Sequence, residues 1–196
     1  PFDDSFPELL KQSGTYSHIA TDHHHYFADG GATYHQRYSS WDLVRGQAID
    51  RWKAHVDPDL ETLKQDFHPL QHHRANYMIN RSYVAKEAEY CGPQVFGLAQ
   101  EFLKQNYKDD NWLLQLECFD PHEPFHAPPR FREMYPTDYQ GPILDWPIYK
   151  RVTETPEEIA EIRANYAALT TMCDEYFGKL LDFLMRMTCG RIPVWC

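Results

Sequence analysis

The chain has 196 residues and a formal net charge of −10, from 19 Lys and Arg against 29 Asp and Glu. Apolar residues make up 42% and aromatic residues 15%, which is enough for a hydrophobic core and too much for a disordered segment. The acidic balance argues against a nucleic-acid-binding protein, because phosphate neutralisation needs surplus Lys and Arg. No apolar run approaches the ~20 residues that a membrane span requires. The composition therefore excludes a nucleic-acid binder and an integral membrane protein.

The first half of the chain predicts two helices, one strand and a long irregular stretch. Residues 6–14 predict a short helix, with Pro near its start and Gly at its end, and residues 16–20 predict a strand. Residues 21–80 hold most of the histidines with little periodicity, so they predict long, ordered loops. Pro93 opens a second helix, in which apolar residues recur at helical spacing: Val95, Phe96, Ala99, Phe102 and Leu103.

The second half predicts a buried strand, a loop and a long helix. Residues 112–116 form a nearly continuous apolar run, as parallel strands do, and predict a strand over 112–118. The proline-rich residues 120–149 predict an extended loop. Thr155-Pro156-Glu157-Glu158 predicts a helix start with a capping box. An apolar stripe follows it: Ile159, Ile162, Tyr166, Leu169, Cys173, Phe177, Leu180 and Leu184. Alternation of helix and strand predicts an α/β fold with a mostly parallel sheet.

The most informative segment for chemistry is Phe119-Asp120-Pro121-His122-Glu123-Pro124-Phe125-His126-Ala127-Pro128. It directly follows a predicted strand, where ligands bind in open α/β sheets. Its prolines restrict the backbone and would hold His122 and His126 in place. A rigid imidazole here can donate a proton to a leaving oxygen or hydrogen-bond an oxyanion. The alternative is a proline-rich surface turn with incidental histidines.

A second histidine cluster, residues 22–26, follows the first predicted strand. On an extended backbone, His23 and His25 share one face and His24 takes the other. Such a pair can contact a substrate anion, or ligate a metal if a third ligand is supplied; a hydrogen-bonded loop is the plainer alternative. Arg45, beside Gly46, can bind a sulfate or carboxylate with two parallel hydrogen bonds, although an ordinary surface ion pair is the plainer alternative.

The cysteines and the first residue bear on compartment and chain extent. The five cysteines form no CxxC pair and predict no disulfide framework, and reduced thiols favour a cytoplasmic protein. The sequence begins with Pro1 rather than Met, which predicts a preceding segment. The cysteines are Cys91, Cys118, Cys173, Cys189 and Cys196.

Three segments together resemble the sulfatase family. Residues 120–128 resemble the motif Asp-Pro-His-x-Pro-(Phe/Tyr)-x-x-Pro, and residues 165–181 resemble the helix that follows it in that family. Residues 6–14 are similar to the helix written P-x-L-L-K-x-x-G, which precedes a strand and a histidine-bearing turn. Sulfatases belong to the alkaline-phosphatase-like superfamily. The resemblance therefore implies that residues 1–186 are part of a catalytic domain with a partial α/β/α sandwich.

The resemblance implies an arylsulfatase-like hydrolase that acts on a sulfated small molecule or glycan. His122 matches the family histidine that contacts the sulfate ester and assists the leaving group. His23 matches the histidine of a Gly-Lys-x-His turn, whose Lys has no counterpart here. We expect His23, His25, Arg45 and His126 to contact the substrate.

The family's nucleophile and metal ligands are missing from this sequence. Sulfatases use a formylglycine made in a Cys/Ser-x-Pro-x-Arg motif, and a divalent cation, usually calcium, held by early Asp residues and a late Asp-Asn or Asp-His pair. None of these motifs occurs here. We therefore expect calcium in the intact parent enzyme, no metal ligand in this chain, and no activity for the chain alone.

The tail, residues 187–196, does not continue the family pattern. When the tail is back-translated into codons and read in a frame shifted by two bases, the codons permit a sequence of the kind that follows this helix in sulfatases. We therefore predict a frameshift near residue 186. Two other functions stay open. One is a phosphonate or phosphate ester hydrolase of the same superfamily. The other is a non-catalytic, histidine-rich module that binds metal or carbohydrate, with sugars stacking on Trp41, Trp52 and Trp146.

Overall fold

A computed structural model describes residues 4–31 and 33–188 and divides them into two compact units. Unit 1 comprises residues 4–31, 33–45, 91–119 and 176–188, and unit 2 comprises residues 46–90 and 120–175. The strands are β1 Tyr16–Thr21, β2 Ser40–Leu43 and β3 Trp112–Glu117. The helices are α1 Phe6–Gln12, α2 Leu60–Lys64, α3 Ala75–Arg81, α4 Cys91–Asn106, α5 Pro129–Arg132 and α6 Pro156–Thr188. Most of the predicted tail, residues 189–196, lies outside the described residues.

Unit 1 is built on a three-stranded sheet in the order β2-β1-β3, and both pairings are parallel. This confirms the predicted α/β class with a parallel sheet. The register aligns Thr21 of β1 with Leu43 of β2 and with Glu117 of β3. The three strands therefore end together at one edge, called the carboxyl edge below.

Helix α4 supplies the core of unit 1. Val95 and Ala99 are fully buried, and Phe96 and Leu103 are 4% and 3% exposed. These residues occupy the apolar positions predicted from helical spacing, so that prediction is confirmed. Partly buried leucines of β3 pack against them, and burial of this face holds α4 against the sheet.

Unit 2 contains α2, α3, α5 and the start of α6, joined by long irregular segments. A backbone hydrogen bond of 2.8 Å from His68 N to Ile143 O, and one of 2.9 Å from Ile143 N to Asp66 O, hold the proline-rich stretch in place. Its apolar core is formed by large buried side chains, among them Tyr77, Met78, Phe131, Leu144, Leu169 and Met172.

The prediction of loops throughout residues 21–80 is wrong. That stretch contains β2, α2 and α3, together with short 3-10 turns, and the predicted loop at 120–149 contains α5. These elements have four to seven residues, too few for periodic spacing to emerge. In β2, Trp41 and Asp42 are both exposed, so the burial that creates an alternating pattern is absent.

The capping box of α6 is confirmed, but its predicted stripe is only partly correct. Thr155 N donates to Glu158 Oε2 at 2.7 Å, and Glu158 N donates to Thr155 Oγ1 at 3.3 Å. Tyr166 and Phe177, both assigned to the stripe, are 47% and 38% exposed. Leu169 and Leu180 of the predicted stripe are buried, and the other buried side chains on this face are Ala164, Ala168 and Met172.

Two further observations concern the described residues alone. No helix among them is long and apolar enough to cross a membrane. The three cysteines that they contain, Cys91, Cys118 and Cys173, form no disulfide.

Candidate active site

The carboxyl edge of the unit 1 sheet carries the predicted histidine turn. Asp22 and His23 directly follow β1, and Phe119 lies two residues beyond the end of β3. Arg45 lies two residues beyond the end of β2 and is exposed. Parallel pairing brings these segments to the edge where ligands bind in open α/β sheets.

The His23 ring is held on three sides. Nδ1 lies 2.7 Å from Glu117 Oε1, and because a carboxylate accepts, Nδ1–H is the donor. The ring stacks on Tyr26 with centroids 4.6 Å apart and meets Phe119 edge-on at 5.2 Å. The side chain is 29% exposed, so solvent or a ligand reaches part of it.

Glu117 collects several donors. Tyr26 O–H lies 3.0 and 3.1 Å from its two carboxylate oxygens, and Gln115 Nε2 donates to Oε2 at 3.2 Å. Burial, reinforced by the negative charge of Glu117, raises the pKa of Tyr26 to about 12 and that of Tyr38 to about 12. Both phenols therefore stay protonated across the physiological range. The Tyr26 hydroxyl donates to the Glu117 carboxylate, and the Tyr38 hydroxyl donates to Gln115 Oε1.

Asp22 ties the end of β1 to the segment after β3. Its side chain is fully buried, and Oδ1 accepts a 2.7 Å hydrogen bond from the backbone N of Phe119. Sequence reasoning assigned no role to Asp22 or Glu117. The sequence did contain a signal, because an acidic residue stands at or just after the end of each of two predicted parallel strands. A buried charge without a partner is costly, so such residues are expected to have partners that hold them in place.

The expectation that residues 23–25 are extended is wrong. Residues His24–Phe27 form a 3-10 turn, in which His24 is buried and His25 is exposed. The turn follows because His24 N donates to Asp22 O at 2.9 Å, which bends the chain directly after the strand. His23 and His25 still lie together, with ring centroids 5.3 Å apart in an edge-on contact.

The proline-rich motif loop lies in unit 2 and is held by its ends. Gln47 Nε2 donates to Asp120 Oδ1 at 2.5 Å, and Phe125 N donates to Asp145 O at 2.7 Å. Pro124 and Pro128 are buried. The motif aspartate is thus engaged in orienting the loop.

His122 lies at the exposed tip of this loop, with half of its side chain exposed. Its Nδ1 is 2.7 Å from the carbonyl oxygen of Glu123, which only accepts, so Nδ1 carries a proton. Proton transfer from His122 to a leaving oxygen therefore takes place at Nε2 and requires the imidazolium form.

His126 has a different environment in the same loop. Its Nε2 lies 3.0 Å from the hydroxyl of Tyr90. Burial, with a further contribution from the nearby Arg81 charge, holds the pKa of His126 well below its ordinary value. A neutral imidazole binds a substrate anion by a hydrogen bond alone, which is weaker than the charged contact that a sulfate-binding role favours.

A buried ion pair in unit 2 was not predicted. Arg81 Nη1 lies 2.5 Å from Asp145 Oδ2 and 2.7 Å from the hydroxyl of Tyr77. Asp145 is 2% exposed, and Gln71 Oε1 accepts a 2.9 Å hydrogen bond from its backbone N. Burial raises the pKa of Asp145, against the attraction of Arg81. These residues are far apart in sequence, so no local pattern identifies them.

Calcium does not fit the described residues of either unit taken by itself. The ion takes about six to eight oxygen ligands. Within each unit, no three His, Cys, Asp or Glu side chains of the described residues lie close enough together to hold a metal ion.

The tryptophans differ in their access to a ligand. Trp146 is 8% exposed and packs edge-on against Tyr77 at 5.2 Å. Trp41 is 42% exposed, and Trp52 carries the ammonium of Lys53 over its ring at 3.8 Å. Only Trp41 of these three thus presents a largely open ring face.

A scan against models of known protein families gives no match, and a search of curated proteins gives none either. The function proposed below therefore rests on the geometry of the carboxyl edge and the motif loop, and on the sequence motifs.

Proposed function

We propose that this protein is a sulfatase-type hydrolase, which cleaves a sulfate ester into an alcohol and inorganic sulfate. One observation carries the proposal, namely the parallel pairing of β1 with β3. It makes the His23 turn and the segment that leads into the Asp-Pro-His motif follow two neighbouring strands at the carboxyl edge. The resemblance of residues 120–128 to the sulfatase motif supports the same reaction.

The residues at the carboxyl edge are suited to an oxyanion. The Arg45 guanidinium is exposed after β2 and can bind two sulfate oxygens in parallel. His23 and His25 provide a pair of imidazoles in contact with each other, one held in place and one exposed. We assign Arg45 and His25 to binding of the sulfate group.

His122 is assigned to the leaving group. Hydrolysis requires an oxygen nucleophile, ultimately water, to form a bond to sulfur as the bond between sulfur and the ester oxygen breaks. The electron pair of the broken bond moves to the ester oxygen, and His122 transfers its Nε2 proton there to give the alcohol, while the sulfur leaves as inorganic sulfate. The carbonyl of Glu123 keeps the other ring nitrogen protonated and fixes the direction of Nε2. Proton transfer by a positioned side chain contributes roughly 10²–10⁴-fold to such a step.

The test is hydrolysis of 4-nitrophenyl sulfate by the polypeptide translated from the gene after its reading frame is restored near residue 186, which is called the whole gene product below. We expect turnover. With phenyl sulfate, whose leaving oxygen is more basic than that of 4-nitrophenyl sulfate, we expect a loss of about 10²-fold in kcat for His122→Ala, because that oxygen then has no proton donor. His55→Ala is the matched control, since His55 is also an exposed histidine of unit 2 but lies outside the motif. Its kcat is expected to stay within a factor of about two of the wild type.

Two results would contradict the proposal. One is a gene product without turnover of any sulfate ester. The other is an active protein in which His122→Ala and His55→Ala behave alike. Preference for 4-nitrophenyl phosphate would instead favour the phosphate ester hydrolase of the same superfamily.

A further inference from the structure

The position of the His23 ring is fixed more closely than a turn residue requires. Its backbone N donates to Thr21 Oγ1 at 2.9 Å, and its ring lies between Tyr26 and Phe119. Nδ1 is engaged by Glu117, whereas no described residue makes a hydrogen bond to Nε2. One ring nitrogen is therefore held, and the other lies on a ring that is 29% exposed.

Glu117 is itself held in place. It is the last residue of β3 and is paired with Thr21 in the parallel register. Tyr26 and Gln115 donate to its carboxylate, so its orientation does not depend on His23. A carboxylate anchored in this way selects which imidazole nitrogen carries the proton.

We propose that Glu117 is the positioning residue for His23: it accepts the Nδ1 proton and thereby leaves Nε2 as the atom that exchanges a proton with a bound ligand. This inference rests on the proposed function for its catalytic meaning. The arrangement follows the general pattern in which a carboxylate behind an imidazole sets its tautomer and direction. A neutral histidine with the opposite tautomer would present an N–H at Nε2, where acceptance of a proton from the attacking oxygen nucleophile needs a lone pair.

The tautomer can be measured directly on the 196-residue chain. Long-range ¹H–¹⁵N correlation at pH 8 distinguishes a protonated from an unprotonated ring nitrogen, and His23→Gln assigns the signals. We expect the proton of wild-type His23 on Nδ1. In Glu117→Leu the acceptor is lost, and we expect the proton to move to Nε2, which a neutral imidazole prefers in water.

Glu101→Leu is the matched control. Glu101 is an exposed glutamate of helix α4 in the same unit, so the Nδ1 proton of His23 should remain. In the whole gene product, we expect Glu117→Leu to lower kcat by about 10²-fold with a smaller change in KM, because Nε2 then carries the wrong protonation state. Glu101→Leu should stay within a factor of about three in kcat.

Three results would overturn the inference. They are a wild-type His23 protonated on Nε2, a Glu117→Leu variant that keeps the Nδ1 proton, and a variant whose tautomer changes while kcat does not. Failure of the proposed function is a separate result. The whole gene product would then hydrolyse no sulfate ester, whereas the NMR measurement of the His23 tautomer would be unaffected. In that case, an unchanged tautomer in Glu117→Leu still overturns the role of Glu117.

Discussion

The chemistry of each candidate histidine depends on what its ring nitrogens contact. In His23 the Nδ1 proton points to the carboxylate of Glu117, and in His122 it points to a backbone carbonyl. In His126 the contact is from Nε2 to the hydroxyl of Tyr90. Sequence patterns locate such histidines, because they cluster after strands. They do not locate these partners, which lie up to 94 positions away.

His126 leads to a prediction about stability and pH. Its pKa is lowered in the folded protein, first by burial and then by Arg81. Below the unfolded value of about 6.5, the unfolded chain binds a proton that the folded protein does not, so stability falls as pH falls. The contribution is at most about 1.4 kcal/mol per pH unit, because one proton is involved.

We expect His126→Gln to flatten this dependence. Urea unfolding at pH 8 gives the cost of the substitution apart from protonation, because His126 is then neutral in both the folded and the unfolded wild-type protein. Between pH 7 and pH 5, the free energy of unfolding should fall less in the variant than in the wild type, by roughly 1–2 kcal/mol. Parallel curves for the two proteins would show that His126 is not the group responsible.

At the scale of elements, the helices and strands that could be predicted from sequence are the long or clearly patterned ones. Helices α4 and α6 repeat their apolar spacing over several turns, and β1 and β3 are bounded by turn signals, so all four were predicted. Strand β2 has only four residues and two exposed side chains in its middle, which removes the pattern. The two histidine segments were therefore predicted to follow β1 and β3, while the pairing of these strands and the position of Arg45 beyond β2 were not.

The start of α6 provides a test at this scale. The Thr155 hydroxyl accepts from Glu158 N, which would otherwise lack an intrahelical partner. We expect Thr155→Ala to lower the free energy of unfolding by about 1 kcal/mol, and Thr155→Ser to restore most of it. The measurement is urea unfolding at neutral pH.

Thr153→Ala is the control for this helix start. Thr153 is also exposed and lies just before α6, but it donates to Glu154 Oε2 through its backbone N rather than through its hydroxyl. It should change the free energy of unfolding by less than about 0.5 kcal/mol. Equal losses in Thr153→Ala and Thr155→Ala would argue against a capping role.

At the scale of the whole molecule, each unit is assembled from segments distant in sequence. The sheet of unit 1 joins residues 16–21, 40–43 and 112–117, and the ion pair of unit 2 joins Arg81 to Asp145. Composition and alternation of elements were enough to predict the α/β class. The division into two units and the buried ion pair follow from long-range packing, for which a single sequence carries no periodic signal.

The central claim is that the protein hydrolyses sulfate esters, and one competition measurement tests it most directly. The whole gene product is supplied with equal concentrations of 4-nitrophenyl sulfate and 4-nitrophenyl phosphate, and released sulfate and phosphate are quantified by ion chromatography. The account predicts sulfate release at least about tenfold faster, a difference of roughly 1.4 kcal/mol in transition-state stabilisation. Equal or faster phosphate release, or release of neither ion, would contradict it.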